Sequence, residues 1–165
     1  MKPGKDYIGI GGGILIFSAK GGSLPDSASQ RQAGASGGNK KVEILLMKRG
    51  KKSKNEAGWW CKPGGAVDYG ETAIKAMERE IKEETGLRVK IWGLLPHTDQ
   101  ILRKEKQHWV AINFLADLKS GEPKIMEPEK CEEIRWFNIK KLPKKLTKTT
   151  REPVKNYLKG KYIIL

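Results

Sequence analysis

Residues 65–87 read GAVDYGETAIKAMEREIKEETGL, and this stretch decides both the fold and the chemistry. Ile74, Met77 and Ile81 recur at helical spacing, which predicts a helix over residues 71–85 with those three side chains on its core stripe. Asp68 can cap the N-terminus while Glu71, three residues on, reaches back in a capping box. Gly86 suits a left-handed C-terminal stop, with Leu87 supplying the accompanying apolar contact. Glu80, Glu83 and Glu84 occupy positions i, i+3 and i+4, so all three project from one face. Like charges at that spacing destabilise a helix by roughly a few tenths of a kcal/mol per pair. A hard divalent cation accounts for such a cluster, because Mg²⁺ takes oxygen ligands and leaves positions for water and phosphate. A solvated acidic face, partly neutralised by Arg79, accounts for the three glutamates equally well on their own.

Outward from the helix, the chain alternates strand and loop. Residues 7–17 have the β-branched and glycine character of a strand whose backbone lies close to a neighbour. Residues 19–40 are nearly free of large apolar groups, so a long mobile hairpin insertion is expected before a strand resumes at 42–47. Residues 50–58 form a basic loop. Beyond the helix, residues 87–102 and 108–118 read as paired strands around a turn at 104–107, and 122–130 as a loop. A short strand is expected at 133–137 and a helix at 152–158, with Pro153 in its first turn, inside a basic tail spanning 145–165. Strands before and after one central helix imply an α/β fold, a mixed-sheet α/β/α sandwich forming a single domain over 1–165.

The length suffices for a core without disulfides, and Cys61 and Cys131 lie far apart with no pairing pattern. Reduced thiols point to the cytoplasm, and no apolar run approaches the roughly 20 residues that span a bilayer. The formal charge of +14 favours polyanionic partners. Its lysines gather at 48–54 and along the tail, where a solvated surface explains them, and no zinc-finger, RNP or basic-zipper pattern is present. A nucleotide is therefore favoured over nucleic acid as the partner.

The spacing in residues 65–87 carries a resemblance. From Gly65 run five residues to Glu71, seven more to Arg79-Glu80-Ile81, one to Glu83-Glu84 and one to Gly86-Leu87. This resembles the Nudix signature with every fixed position filled, and upstream GWWCKPGG resembles the segment that leads into it. LLMKRG before the box and EPKIMEPEKCEEIRWFNIKKLP after it look like the small MutT-type subgroup. The resemblance implies a loop-helix-loop catalytic motif that binds Mg²⁺, with Mn²⁺ as a substitute. Gly64 and Gly65 let the backbone approach the metal, and Gly64 counts with Glu80, Glu84 and Glu83 among the metal-site residues. Glu83 is a further ligand or the water activator, and Arg79 orients the glutamates while Glu71 braces the turn. A fourth carboxylate is expected at Glu132, with Glu129 as runner-up. Lys48 and Arg49 match a phosphate-holding basic pair, His108 a substrate-side histidine, and Trp59 a base-stacking ring, whereas Trp60 fits core packing.

The implied reaction is water attack at phosphorus in a nucleoside diphosphate-linked substrate, with (d)NTP cleavage to (d)NMP and pyrophosphate first. Nucleotide sugars, dinucleoside polyphosphates and isoprenoid diphosphates follow. Cys61 stands where purine-selective relatives carry an amide, and KKLPKKLTKTT lacks their acidic pair, so oxidised-guanine specificity is not implied. A non-catalytic ligand sensor or RNA-binding module is the reading from another class, and the intact box argues against it. Relatives of this kind are often homodimers, and the sequence carries no isolated interface signal.

Overall fold

The computed structural model describes residues 2–18, 42–53 and 55–165. The insertion expected at 19–40 lies outside the described residues. Among the described residues there are seven strands, β1 (Gly9–Phe17), β2 (Glu43–Arg49), β3 (Trp60–Cys61), β4 (Arg88–Leu102), β5 (Gln107–Ser120), β6 (Cys131–Asn138) and β7 (Ile163–Ile164), with helices α1 (Ala73–Thr85) and α2 (Lys148–Leu158). They share one sheet in the order β3-β2-β1-β5-β4-β7, while β6 pairs with the outer side of β2. The sheet is mixed: β1 runs parallel to β5 through nine registered pairs, Gly9↔Trp109 to Phe17↔Asp117, and the other pairings are antiparallel.

Alternation along β1 assigns the two faces. Ile14 and Ile16 point into a cluster with Met77, Ile81 and Leu87, which is the α1 side. Leu15 and Phe17 point into a second cluster with Trp60, Trp92, Val154 and Tyr157, which is the α2 side. Phe17 touches the Tyr157 ring at a 4.9 Å centroid separation, and Trp60 meets Phe137 edge-on at 4.7 Å. A helix covers each face, so the expected sandwich is present.

Three local expectations need correction. Helix α1 is capped by Thr72, whose side chain accepts from the Lys75 N–H, not by Asp68. Asp68 and Glu71 turn instead to Arg79, so no capping box forms. The buried stripe runs through Ala76, Met77, Ile81 and Thr85, leaving Ile74 43% exposed one step off that face. Helix α2 begins at Lys148, four residues before the expected start, so Pro153 lies inside it and not in its first turn. Gly86 does stop α1 in the left-handed region, at φ 71°, with its N–H on the Lys82 carbonyl.

Candidate active site

Pro63, Gly64 and Gly65 pair along the edge of the glycine-rich half of β1, with Ile14 N–H on the Pro63 carbonyl and Gly12 N–H on the Gly65 carbonyl. That docking brings the loop against α1. The Gly64 N–H donates to Glu84 Oε2 at 2.9 Å. A Cβ on Gly65 would lie 2.3 Å from the Glu80 carboxyl carbon, so only glycine lets Glu80 lie flat against this backbone. Gly64 itself sits at φ +145°, and a Cβ there would meet the Gly12 carbonyl oxygen at 2.3 Å. The Pro-Gly-Gly turn is thus a mould for two carboxylates.

Arg79 organises the same helix face from the other side. Its guanidinium takes Glu71 through two bonds, of 3.2 and 3.0 Å, and reaches Glu80 at 3.0 Å, Glu83 at 3.2 Å and Asp68 at 3.4 Å. A further bond runs to the Ala66 carbonyl at 3.3 Å. The planar fork offsets the repulsion that carboxylates stacked on one helix face would otherwise carry. The bonds from Arg79 hold the Glu71 carboxyl below its ordinary range. Glu84 has no such partner in the fork. Its enclosure pushes its carboxyl up to about 7 against the opposing pull of the Gly64 N–H, and the charges of Glu80 and Glu127 push the same way. Desolvation likewise raises Glu80, against the pull of Arg79.

Two desolvated, mutually repelling carboxylates beside a glycine turn fit a hard cation, which would stabilise both in their charged forms. Among the described residues no three His, Cys, Asp or Glu side chains converge tightly enough to enclose an ion alone.

Glu84 opens on a cleft of about 290 Å³, whose walls include Arg49, Cys61, Lys62, Gly64, Gln107 and Trp109. Arg49 lies on the wall with its Nε donating to the Asn55 carbonyl at 2.9 Å. Lys48, its neighbour on β2, takes the opposite face and pairs with Glu132 at 3.3 Å. The strand-parity rule also separates His108 from the cleft. His108 binds Asp99 at 3.0 Å and lines a different hollow, while Gln107, Trp109 and Ala111 face the cleft. Trp59 is half-buried and does not line the cleft. Of the residues expected on the substrate side, Arg49 lines this cleft whereas His108 and Trp59 do not, and Gln107 and Trp109 line it in their place. Glu132 is held by Lys48, and it is Glu127, bonded to Lys130 at 2.7 Å, whose charge reaches Glu84.

The arrangement matches known proteins. A family model described as NUDIX domain matches residues 33–157. The chain belongs to the Nudix family. It is 38% identical over 119 residues to a protein of Methanocaldococcus jannaschii named ADP-ribose pyrophosphatase, covering 72% of this chain and 68% of that one. It is 31% identical over 103 residues to the human 8-oxo-dGDP phosphatase NUDT18, covering 61% of this chain but only 30% of that one. The crystal structure of a MutT NUDIX hydrolase from Burkholderia pseudomallei superposes with a TM-score of 0.71 at 35% identity, over 91% of this chain and 98% of that one. This Nudix chain is thereby a pyrophosphohydrolase. Among the described residues no helix is long and apolar enough to cross a membrane.

Sequence reading missed Lys62, Gln107 and Trp109 as cleft residues. The signal for the last two was available: Gly9, Gly11 and Gly13 leave one face of β1 without side chains of its own, and odd-numbered residues of β5 share that face. Lys62 carried no such signal, since its partners lie 87 and 88 residues away in α2.

Proposed function

We propose that the chain is a Mg²⁺-dependent hydrolase whose first substrate class is a (d)NTP, cleaved to (d)NMP and pyrophosphate. The observation that carries this reading is the Glu84 carboxyl, held by the Gly64 N–H beside Glu80 and opening on the cleft that also holds Arg49. In this reading Glu80 and Glu84 hold Mg²⁺, or Mn²⁺ in its place, with Gly64 bordering the site. When bound, the metal polarises the diphosphate and lowers the pKa of water.

The chain's own residues supply positioning and proton transfer. Arg49 binds the outer phosphate oxygens from the cleft wall, as a planar donor fork suits. Arg79 fixes the carboxylates without entering the cleft. Water oxygen forms a bond to phosphorus, and the bridging P–O bond breaks with its electron pair leaving on pyrophosphate. The water proton passes to a carboxylate, Glu80 or Glu83; Glu83 is 54% exposed and bonded to Arg79. Lys48 and Glu132 act as a pair behind Arg49 on the neighbouring strand.

A second reading has its own support. The M. jannaschii relative's name points to a nucleoside diphosphate sugar, which would give a nucleoside monophosphate and a sugar phosphate by the same attack. The test is turnover of a broad panel of nucleoside triphosphates, nucleotide sugars and dinucleoside polyphosphates with Mg²⁺, with products identified. Pyrophosphate released from triphosphates supports the first reading, and sugar phosphate as the main product supports the second. Absence of turnover across the panel would falsify both.

A further inference from the structure

Lys62 is the one cleft residue whose burial needs explaining. Only 7% exposed, it lines the cleft that Glu84 opens on, between the loop of Pro63–Gly65 and helix α2. Three features of the chain build its slot. The Lys62 N–H donates to Thr150 Oγ1 at 2.8 Å, which fastens the backbone to α2. The Nζ donates to the Thr149 carbonyl at 2.7 Å. Thr149 lies four residues before Pro153, which has no N–H, so the helix itself leaves that carbonyl without its usual i+4 donor. On the opposite side, a Cβ on Gly13 would stand 2.8 Å from both Lys62 Cε and Nζ. A glycine, a mid-helix proline and a threonine hydroxyl thus cooperate to hold an ammonium at the cleft wall.

An ammonium has three donors and no acceptor, and the Thr149 carbonyl occupies one of them. A ligand group placed against Lys62 must therefore present an acceptor, because a donor there would leave a buried charge facing another N–H. Trp109, its ring seated on Gly4 and Gly9, borders the cleft with aromatic surface suited to a base, and Gln107 with an amide. With the diphosphate at Glu80 and Glu84, the base is the part of a nucleotide left to occupy the Trp109 side of the cleft.

Resting on the nucleotide-hydrolase reading above, we infer that Lys62 is a specificity-determining residue that donates to an exocyclic carbonyl oxygen of the substrate base. Oxo-bearing bases are selected and 6-amino purines are rejected. A 6-amino group turns a donor toward the ammonium, and a 6-oxo group turns an acceptor toward it. The adenosine-linked substrate in the name of the M. jannaschii relative is that protein's, and this chain departs from it at the base.

The experiment compares inosine and adenosine 5′-triphosphates, and the matching nucleoside diphospho-riboses, on the whole protein with Mg²⁺. Within each pair the compounds differ only at position 6 and the adjoining ring nitrogen. The expected result is a KM for the inosine compound lower by about tenfold or more, with similar kcat. Lys62→Met and Lys62→Gln should bring the two KM values within about threefold of each other, chiefly by raising the inosine value, with far-UV circular dichroism unchanged. An equal loss on both bases in the variants overturns the inference, since that is what a phosphate contact or a merely structural lysine gives. Equal or better use of the adenosine compounds by wild-type protein also overturns it, and leaves the hydrolase reading standing because turnover is still seen. If the variants fail to fold, the wild-type KM ratio decides alone. If no compound is hydrolysed, the hydrolase reading itself falls and takes this inference with it.

Discussion

The two faces of the sheet handle buried charge in opposite ways. On the α1 face, carboxylates crowd together and Arg79 distributes one guanidinium among Asp68, Glu71, Glu80 and Glu83, leaving Glu84 to the glycine turn. On the α2 face, a lone ammonium lies between the Thr149 carbonyl and Gly13, its backbone N–H held by the Thr150 hydroxyl, with no carboxylate bonded to it among the described residues. Desolvation pushes Glu84 up to about 7 and Lys62 down to about 8, so each is destabilised in its charged form by the same cause. The difference is what each awaits. A charge that repels its neighbours suits a cation, and one that keeps spare donors suits a ligand's acceptor. The two meet where the Pro63–Gly65 loop pairs with the edge of β1, between the two faces.

The sharpest way to break this division is to neutralise one side alone. Glu84→Gln keeps an acceptor for the Gly64 N–H but removes the charge, and kcat is expected to fall by about 10²–10⁴-fold with nucleotide KM little changed. Steady-state kinetics with a thermal melt checks it, and a KM rise matching the kcat loss would show that the faces are not separable. Cys61, on the cleft wall between the two charges, reports on both. Burial pushes its thiol up to about 11, with the Glu84 charge adding to the rise and Arg49 and Lys62 opposing it. The thiol stays protonated below that pH, so alkylation by iodoacetamide should be about a hundredfold slower at pH 8 than for a free cysteine. Its rate should climb about tenfold per pH unit toward 11. Mass spectrometry follows the adduct; a rate already flat above pH 8 would show that the basic side of the cleft outweighs burial.

What could be read from the sequence was local, and what could not was long-range. The Glu80–Glu83–Glu84 face and the Gly86 stop follow from spacing within one helix, and both stand where expected. The mixed sheet and its two covering helices follow from the alternation of strand-like and helical stretches. The cap moved from Asp68 to Thr72 because Arg79, eleven residues beyond Asp68, competes for the carboxylates of the turn. His108 is expected at the substrate from resemblance alone, and which face of β5 it takes depends on its register with β1, where a one-residue slip exchanges the faces. Pro153 looked like a helix-start residue because a proline inside a helix normally costs about 3 kcal/mol. Here the carbonyl it orphans is taken by Lys62 from across the cleft, a contact that no local pattern announces.

The Lys62 slot can be disturbed more gently than by removing the lysine. Gly13→Ala puts a methyl against Lys62 Cε and Nζ and within 3.0 Å of the Pro63 carbonyl oxygen. Overpacking of this kind costs about 1–3 kcal/mol, read as a lower Tm, and displacing the ammonium should reduce the preference for oxo-bearing bases while Mg²⁺ dependence persists. Loss of stability with the base preference intact would mean that the lysine relocates without leaving the base.

Pro153→Ala is the smallest and the most discriminating change. Alanine restores an N–H facing the Thr149 carbonyl and raises helix propensity, which by itself would stabilise α2. Against that, the carbonyl must now be shared between the new N–H and the Lys62 ammonium. A carbonyl has two lone pairs and can accept both, so the competing effects should leave stability within about 1 kcal/mol of wild type. The base preference should weaken by only a few-fold, because the slot made by Gly13 and Thr150 is untouched. A gain in stability of about 3 kcal/mol would instead show that the proline is a plain cost to the helix, and that Lys62 binds Thr149 by opportunity and not because the fold reserves the carbonyl for it.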